Sequence, residues 1–275
     1  IDLGADINGT KSVMEYFTSP FGHIDIKLEK LNKGGLAATH AKIDAEDQDS
    51  IKYVKLVKIL KNTKPEEMPS GAFDLSMNVF KTLARAEARV HGVDLEDVHF
   101  HEVGAADAVA DVMGSAYAFY DLKLNLHKVY GLPDAMGGGM KKTKHGLMSI
   151  PAPATLEILK NTPTQGGPVS EELTTPTGAA LYVNLVDEYC QFQPFLTSKR
   201  AGYGAGKMDL HFPNVLRIIK GASALPTDQV AILETNLDNV SGEILGNLFQ
   251  KLMAQGELEG YSKRLLRSSI IKDAR

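Results

Sequence analysis

The sequence lacks several features that would assign it to a class at once. It has a single cysteine, Cys190, in 275 residues, which excludes an intrachain disulfide framework and a cysteine-rich zinc or iron–sulfur site. Such sparse cysteine usage is typical of a reducing compartment, so we expect a cytoplasmic protein. No apolar run of about 18 residues occurs, so we expect no membrane span. The net charge of −4 gives no basic excess, so we expect no nucleic-acid partner.

The composition is that of an ordinary globular protein, with 43% apolar and 23% charged residues. In "GHIDIKLEKL", Ile24, Ile26 and Leu28 alternate with polar residues, which predicts a half-buried strand. The Gly-Gly pair that follows predicts a turn into a second strand and therefore a hairpin. We interpret the acidic stretch "HAKIDAEDQDS" and the glycine-rich stretch "RAGYGAGKMDL" as loops.

Helical periodicity is clearest in "GAFDLSMNVFKTLARAEARVHG", and Gly92 is suited to end that helix with a C-terminal cap. Its predicted apolar stripe consists of Leu75, Val79, Leu83, Ala86 and Val90. Further helices are predicted in "AADAVADVMGSAYAFYDL", "PAPATLEILKN" and "TTPTGAALYVNLVDEY". The last should begin with Thr175 as its N-cap and Pro176 in its first turn.

Strands that alternate with helices in the middle of the chain favour an α+β, or mixed α/β, fold. We expect an N-terminal mixed-sheet domain with flanking helices over residues 1–222. The small, polar and proline-containing stretch "GASALPTD" predicts a boundary. Beyond it we expect the start of a smaller C-terminal α/β domain over residues 228–275.

Two histidines and several carboxylates lie close together in "VHFHEVGAADAVADV". On a strand, His99 and His101 point to the same side, roughly 7 Å apart, while Glu102 points to the other. Asp107 and Asp111 are four residues apart on the next helix and share a face. Imidazole suits nickel, zinc, copper and iron, so the pattern permits a divalent metal site. Alternatively, His99 or His101 is a half-buried histidine with its hydrogen bonds satisfied, and Asp107 interacts with the helix dipole.

The stretch "GGGMKKTKHG" combines glycines, which allow close backbone approach, with Lys141, Lys142, Lys144 and His145. This combination suits a phosphate or carboxylate ligand, with His145 as a proton donor or metal ligand. The alternative is an exposed hairpin whose lysines are simply solvated.

Two further stretches suit anions. Thr174, Thr175 and Thr177 surround a helix start, where unpaired N–H groups favour negative charge, although capping explains one threonine. The stretch "GYGAGKMD" lacks the spacing of a P-loop but could form a backbone anion nest beside Lys207.

In the C-terminal part, "ETNLDNVSGE" contains Asp238 and Glu243. Their carboxylates could hold magnesium or manganese, which prefer oxygen ligands. The alternative is helix capping by Ser241, with Glu243 in the first turn.

Taken in order, "VHFHEVGAADAVADVMG", "HGLMSIPAPATLEIL", "ELTTPTGAAL", "GYGAGKMD", "NVLRI" and "ETNLDNVSGEILG" resemble the nickel insertion proteins of nickel-pincer cofactor synthesis, the LarC family. The resemblance extends from about residue 1 to residue 258. Three family features have no counterpart: a motif of the form "FSGISGDM", just after which we expect this chain to start, a histidine-rich tract near "AKIDAEDQDS", and most of the C-terminal domain after "GELE".

The resemblance implies a lyase-type nickel chelatase, or cyclometallase. Such a protein inserts nickel into pyridinium-3,5-bisthiocarboxylic acid mononucleotide, in a CTP-dependent reaction with Mg or Mn. The product would serve lactate racemase, whose apoprotein is then a candidate partner, and a homo-oligomer is expected.

Within this resemblance each candidate residue has an expected role. His145 and Asp107 are the catalytic candidates, and the nickel ligands are His99, His101 and Asp111. The substrate's phosphate would contact Lys141, Lys144, Thr174, Thr175, Thr177 and Lys207. Asp238 and Glu243 would hold the nucleotide's metal. Two alternatives stay open: a metallochaperone that binds nickel or a nucleotide without turnover, and a metal-dependent phosphohydrolase.

Overall fold

The computed structural model describes residues 1–22, 24–45, 50–63, 68–100, 105–143, 146–223 and 241–254. The chain divides into two compact units, Ile1–Pro226 and Thr227–Arg275, and each is described by itself. The first unit combines helices with a mixed sheet, which confirms the predicted α+β class.

The helices are α1 (Ile7–Thr18), α2 (Tyr53–Asn62), α3 (Ser70–His91), α4 (Ala105–Asp121), α5 (Pro153–Ile158), α6 (Pro176–Leu185) and α7 (Gly242–Ala254). The strands are β1 (Ile24–Lys33), β2 (Leu36–Ala45), β3 (Ile51–Lys52), β4 (His99–Phe100), β5 (Tyr130–Gly131), β6 (Asp134–Ala135), β7 (Met140–Thr143), β8 (Gly146–Ser149), β9 (Thr164–Gln165), β10 (Glu188–Tyr189), β11 (Leu196–Ala205) and β12 (Val215–Ser223).

Four long strands form one sheet in the order β1-β2-β11-β12. The pairs β1–β2 and β11–β12 are antiparallel, whereas β2 and β11 run parallel. Ile26 pairs with Ile43 across the predicted hairpin, and both pack with Met14 of α1 and Ala110 of α4. The alternation of apolar residues in β1 therefore identified the face that contacts the helices.

Two predicted loops are partly strands. "HAKIDA" continues β2 to Ala45, and "AGYGA" forms the end of β11. A side chain at Gly202 would come within 2.7 Å of the backbone nitrogen of Leu3. Glycine is therefore needed there because two chain segments pack closely, and its presence does not indicate a loop.

The longest helix, α3, supplies much of the core. Val79 and Leu83 are fully buried, as the stripe predicts, but Val90 is 39% exposed, so the apolar stripe ends before it. Gly92 adopts a left-handed φ of 65° and donates its N–H to Ala88, which confirms the predicted C-terminal cap.

The helix α4 packs closely on α1 through small residues. Ala110 is fully buried beside Met14, and a side chain at Gly114 would collide with that methionine. Asp107 and Asp111 each precede one of these small residues by three positions. This spacing places both carboxylates along the flank of the α1–α4 contact.

The described part of the second unit is the segment from Ser241 to Ala254. The Ser241 hydroxyl accepts a hydrogen bond from the Ile244 N–H at 3.4 Å, and α7 follows with Glu243 in its first turn. This is the capping arrangement weighed above. In the described parts of both units, no helix has the length and apolar character that crossing a membrane requires.

Candidate functional site

The predicted site residues fall into two groups. His101, Lys144, His145 and Asp238 lie outside the described residues. The described candidates are distributed over β4, α4, β7, the start of α6, the loop after β11, and α7. Within the described ranges, no three His, Cys, Asp or Glu side chains converge as a metal-binding group.

His99 lies on β4, where strand geometry determines its direction. Phe100 is 2% exposed, and its ring meets Tyr53 edge-on at a centroid distance of 6.2 Å. Because neighbouring strand residues face opposite ways, His99 points away from this aromatic contact and is only partly buried. It pairs with Lys52 across the two-stranded ladder β3–β4.

Asp107 begins the acidic face of α4. Its carboxylate accepts the Ala108 N–H at 2.8 Å, as expected for an acidic residue in a first helical turn. Burial nevertheless raises the pKa of Asp107 and outweighs the backbone hydrogen bonds, which lower it. Asp107 therefore lies where it can interact with the helix dipole, but desolvation has the larger effect on the pKa of its carboxyl group.

Asp111 lies one turn further along the same face. Burial, and secondarily the negative charge of Asp107, raises the pKa of Asp111 to about 6. Both residues are nevertheless exposed, so the pair is accessible from solvent. Two such carboxylates repel each other, and a divalent cation between them would relieve both the repulsion and the raised pKa.

The hairpin β7–β8 carries the lysine-rich motif. The Lys141 ammonium nitrogen lies 2.5 Å from the Glu172 carboxylate, whose side chain is only 8% exposed. Glu172 was not among the sequence candidates, because no motif or periodicity connects it with a lysine 31 residues earlier. Its carboxylate forms an ion pair with the Lys141 ammonium, which the sequence pattern predicted to bind a phosphate.

Two of the three glycines before this hairpin, Gly137 and Gly139, serve the packing of the chain. Gly137 has φ of 84°, and a side chain there would lie 1.9 Å from the Glu171 carbonyl oxygen. Gly139 has φ of 86°, and a side chain there would approach Ser170 within 3.0 Å. These glycines therefore allow two backbone segments to touch, a role that the motif alone does not distinguish from ligand approach.

The threonines at the start of α6 have separate roles. The Thr174 hydroxyl donates to the Ala135 carbonyl oxygen at 2.9 Å. Thr175 accepts the Gly178 N–H and caps the helix, as predicted. Pro176 has no N–H, and the described cap uses the N–H of Gly178. In the first turn, the N–H of Thr177 is therefore the backbone donor that the described contacts do not use.

The loop after β11 presents oxygen atoms rather than N–H groups to its neighbour. The Lys33 ammonium donates to the carbonyl oxygens of Lys207 and Met208, each at 3.3 Å, and to the Asp209 carboxylate. Asn214 also donates to Met208. An anion nest needs converging N–H groups, so this carbonyl arrangement favours a structural role for the loop, although the exposed Lys207 side chain remains a candidate.

A buried carboxylate at Asp134 is a feature that the motifs did not indicate. Its Oδ2 atom is buried without a hydrogen-bond partner among the described residues, since the nearby Thr174 hydroxyl donates to Ala135. Burial raises the pKa of Asp134. The neighbouring Tyr182 hydroxyl donates to Leu132 at 2.6 Å, and burial raises its pKa to about 12.

In the second unit, Glu243 is exposed on α7. It is the acidic residue of the described segment 241–254, so that segment alone provides one carboxylate. A magnesium or manganese site needs several oxygen ligands, and one carboxylate alone does not supply them.

Comparison with known proteins gives the decisive observation. The sequence model of the family described as "Nickel insertion protein" matches residues 1–263. The chain belongs to this family. No solved structure matches it.

Several relatives show the same relationship. One from Methanothermobacter thermautotrophicus, described as a nickel insertion protein, is 48% identical over 259 residues, or 94% of this chain and 63% of the relative. Another from Methanosphaera stadtmanae is 47% identical, over 93% of this chain and 64% of its own length. A Staphylococcus saprophyticus protein is 36% identical, over 95% and 65%. The chain thus spans just under two thirds of these relatives.

The Staphylococcus saprophyticus relative has the most specific name, pyridinium-3,5-bisthiocarboxylic acid mononucleotide nickel insertion protein. Its name specifies both the metal and the molecule that receives it.

Proposed function

We propose that this protein inserts nickel into pyridinium-3,5-bisthiocarboxylic acid mononucleotide. The observation that carries the proposal is the family match over residues 1–263, together with the relative named for this reaction. Nickel is a substrate here, so its site must bind the ion and also release it. Carboxylate and imidazole ligands suit this requirement better than a closed thiolate cage, and the chain has one cysteine.

The two carboxylates of α4, whose pKa values are raised by burial, support this assignment. Asp111 would supply a nickel ligand, together with His99 and His101, and Asp107 lies one turn away on the same face. Loss of the Asp111 proton accompanies metal binding, because a carboxylate must be ionised to coordinate a cation. We therefore propose that nickel enters on this face of α4.

The family resemblance implies that the chemical step joins nickel to a ring carbon of the mononucleotide. The carbon–hydrogen bond breaks, its electron pair forms the nickel–carbon bond, and the proton leaves to a base. We propose His145 or Asp107 as that base, since both residue types act as general bases near neutral pH and the pKa of Asp107 is raised.

The substrate's phosphate is assigned to the lysines and threonines around the hairpin and the start of α6. Thr177, whose backbone N–H is not used by the described caps, is the principal candidate, with Lys144 and Lys207 as sources of positive charge. Thr174, Thr175 and Lys141 already have partners in the fold, so we propose that they shape this region.

The remaining expectations follow from the resemblance. We propose that CTP, with Mg or Mn, drives the reaction, with Asp238 and Glu243 as candidate ligands. We also propose lyase-type chelatase activity, delivery to lactate racemase apoprotein, a homo-oligomer and a cytoplasmic location.

The test is nickel insertion by the full chain, measured by mass spectrometry of the nucleotide product with nickel, CTP and magnesium present. Asp107→Asn/Asp111→Asn should lower turnover at least 100-fold, since one or more ligands and a base are lost. Asp74→Asn, which changes an exposed carboxylate on α3, should keep wild-type turnover. Stoichiometric nickel transfer without CTP consumption would instead favour the metallochaperone.

A further inference from the structure

The ion pair between Lys141 and Glu172 joins two segments that the sequence keeps apart. Its two sides differ: the Glu172 side chain is 8% exposed, whereas that of Lys141 is 54% exposed. The carboxylate therefore belongs to the body of the protein, and the lysine reaches it from the hairpin β7–β8. A buried carboxylate strongly favours keeping its cationic partner.

The hairpin has two faces, and Lys141 lies on the inner one. Lys141 pairs directly with Met148, and Lys142 pairs with Leu147. Paired residues of an antiparallel ladder lie on the same face, and neighbours along a strand lie on opposite faces. Leu147 is 68% exposed, so the face with Lys142 points to solvent and the face with Lys141 points to Glu172.

Backbone contacts hold the base of this hairpin. The Gly138 N–H donates to the Glu171 carbonyl oxygen, and an isolated bridge joins Gly137 to Glu172. The ion pair adds a side-chain contact further along β7 and acts as a polar tether between the hairpin and Glu172.

The tether connects the two regions in which the proposed function needs precise placement. In the sequence, Lys144 and His145 connect β7 to β8. On the other side, Glu172 is followed directly by Leu173, which donates its N–H to Met136, and by the threonines that start α6. A displacement of the hairpin would therefore move β7 and β8 relative to the start of α6.

We propose that Glu172 is a positioning residue, which holds Lys141 and thereby fixes hairpin β7–β8 against the start of α6 for catalysis. This inference rests on the proposed function. It also gives Lys141 a role different from phosphate binding, and the two roles predict different kinetics.

The experiment compares Glu172→Gln and Lys141→Gln with Glu171→Gln in the full chain. Glu171 is the adjacent carboxylate, is exposed, and undergoes the same change of charge. Hydrogen exchange should accelerate in residues 140–143 and 146–149 of both pair variants, with α3 unchanged. Their kcat for nickel insertion should fall about tenfold or more, since small displacements of catalytic groups are costly. KM for the mononucleotide should change less than kcat, and Glu171→Gln should resemble the wild type.

Two further variants separate positioning from other roles. The double variant Lys141→Gln/Glu172→Gln should be no slower than the single variants, because both remove one interaction. The exchanged pair Lys141→Glu/Glu172→Lys should recover part of the lost kcat. If Lys141→Gln alone raised KM and Glu172→Gln had wild-type kcat, phosphate binding by Lys141 would be the correct role and positioning would be wrong.

Failure of the proposed function gives a different result. A wild-type chain that inserts no nickel would contradict the proposed function. Hydrogen exchange alone would then test whether the ion pair holds the hairpin. Unchanged exchange in both pair variants would overturn the tether whatever the activity.

Discussion

Polar side chains have opposite surroundings on the acidic face of α4 and in the region around residues 134–178. Asp107 and Asp111 are like-charged and open to solvent, and burial raises the pKa of both, outweighing the backbone hydrogen bonds to Asp107. Around the hairpin and the start of α6, the lysine, glycine and threonine motifs form internal contacts instead. The difference teaches that a ligand-like motif can serve internal contacts of the fold, whereas two carboxylates with raised pKa values that are open to solvent are the better candidates for binding a ligand.

The largest expected effect concerns the backbone packing at Gly137, next to the hairpin β7–β8. Gly137→Ala should lower the free energy of unfolding by at least about 3 kcal/mol, because the new carbon would meet the Glu171 carbonyl at a positive φ. Urea denaturation would measure it. Gly138→Ala is the control, since the nearest described atom would be 3.5 Å from the new carbon. If both variants lost the same free energy of unfolding, the close contact at Gly137 would not be the cause.

The next effect concerns the buried ion pair. Lys141→Met should destabilise the protein by about 2–3 kcal/mol, because the Glu172 carboxylate would remain buried without its partner. Lys142→Met, on the exposed face, should stay within about 0.5 kcal/mol of the wild type. Equal urea midpoints for the two variants would contradict the distinction between the hairpin faces.

The threonines allow a finer comparison within one helix start. Thr175→Ala should cost about 1 kcal/mol, because the Gly178 N–H loses its cap. Thr177→Ala keeps the backbone N–H and removes the hydroxyl, so it should leave thermal stability nearly unchanged and weaken binding of the mononucleotide only by the contact that the hydroxyl makes. If Thr177→Ala destabilised the protein as much as Thr175→Ala, Thr177 would have a structural role like that of Thr175.

The smallest effect is a change in pH dependence. The folded-state pKa of Asp111 is raised to about 6, so its ionised form opposes folding. Stability should therefore fall as pH rises from about 4 to 6. Asp111→Asn should remove this slope and add about 1 kcal/mol at pH 7, allowing for screening of an exposed side chain. Chemical denaturation at several pH values measures both, and a retained slope would assign the titration elsewhere.

Local chemistry explains what could be predicted from the sequence. The β1–β2 hairpin, the cap at Gly92 and the Thr175–Pro176 helix start depend on residues near one another, so alternation and capping rules sufficed. Glu172 and the strand around Gly202 depend on segments far apart in the chain, and no local pattern reports such contacts. The roles of the glycines were ambiguous because ligand approach and backbone packing require the same residue.

We propose, as the central claim, that nickel binds on the acidic face of α4, with Asp111 as a ligand and Asp107 one turn away as a candidate base. Calorimetric titration of nickel into the full chain, with Asp107→Asn/Asp111→Asn and Asp74→Asn alongside, tests it most directly. We predict that the double variant loses about 100-fold in affinity, or about 2.7 kcal/mol, and that wild-type affinity falls between pH 7 and 5 as Asp111 takes up a proton. Equal affinity of the wild type and the double variant would contradict the claim.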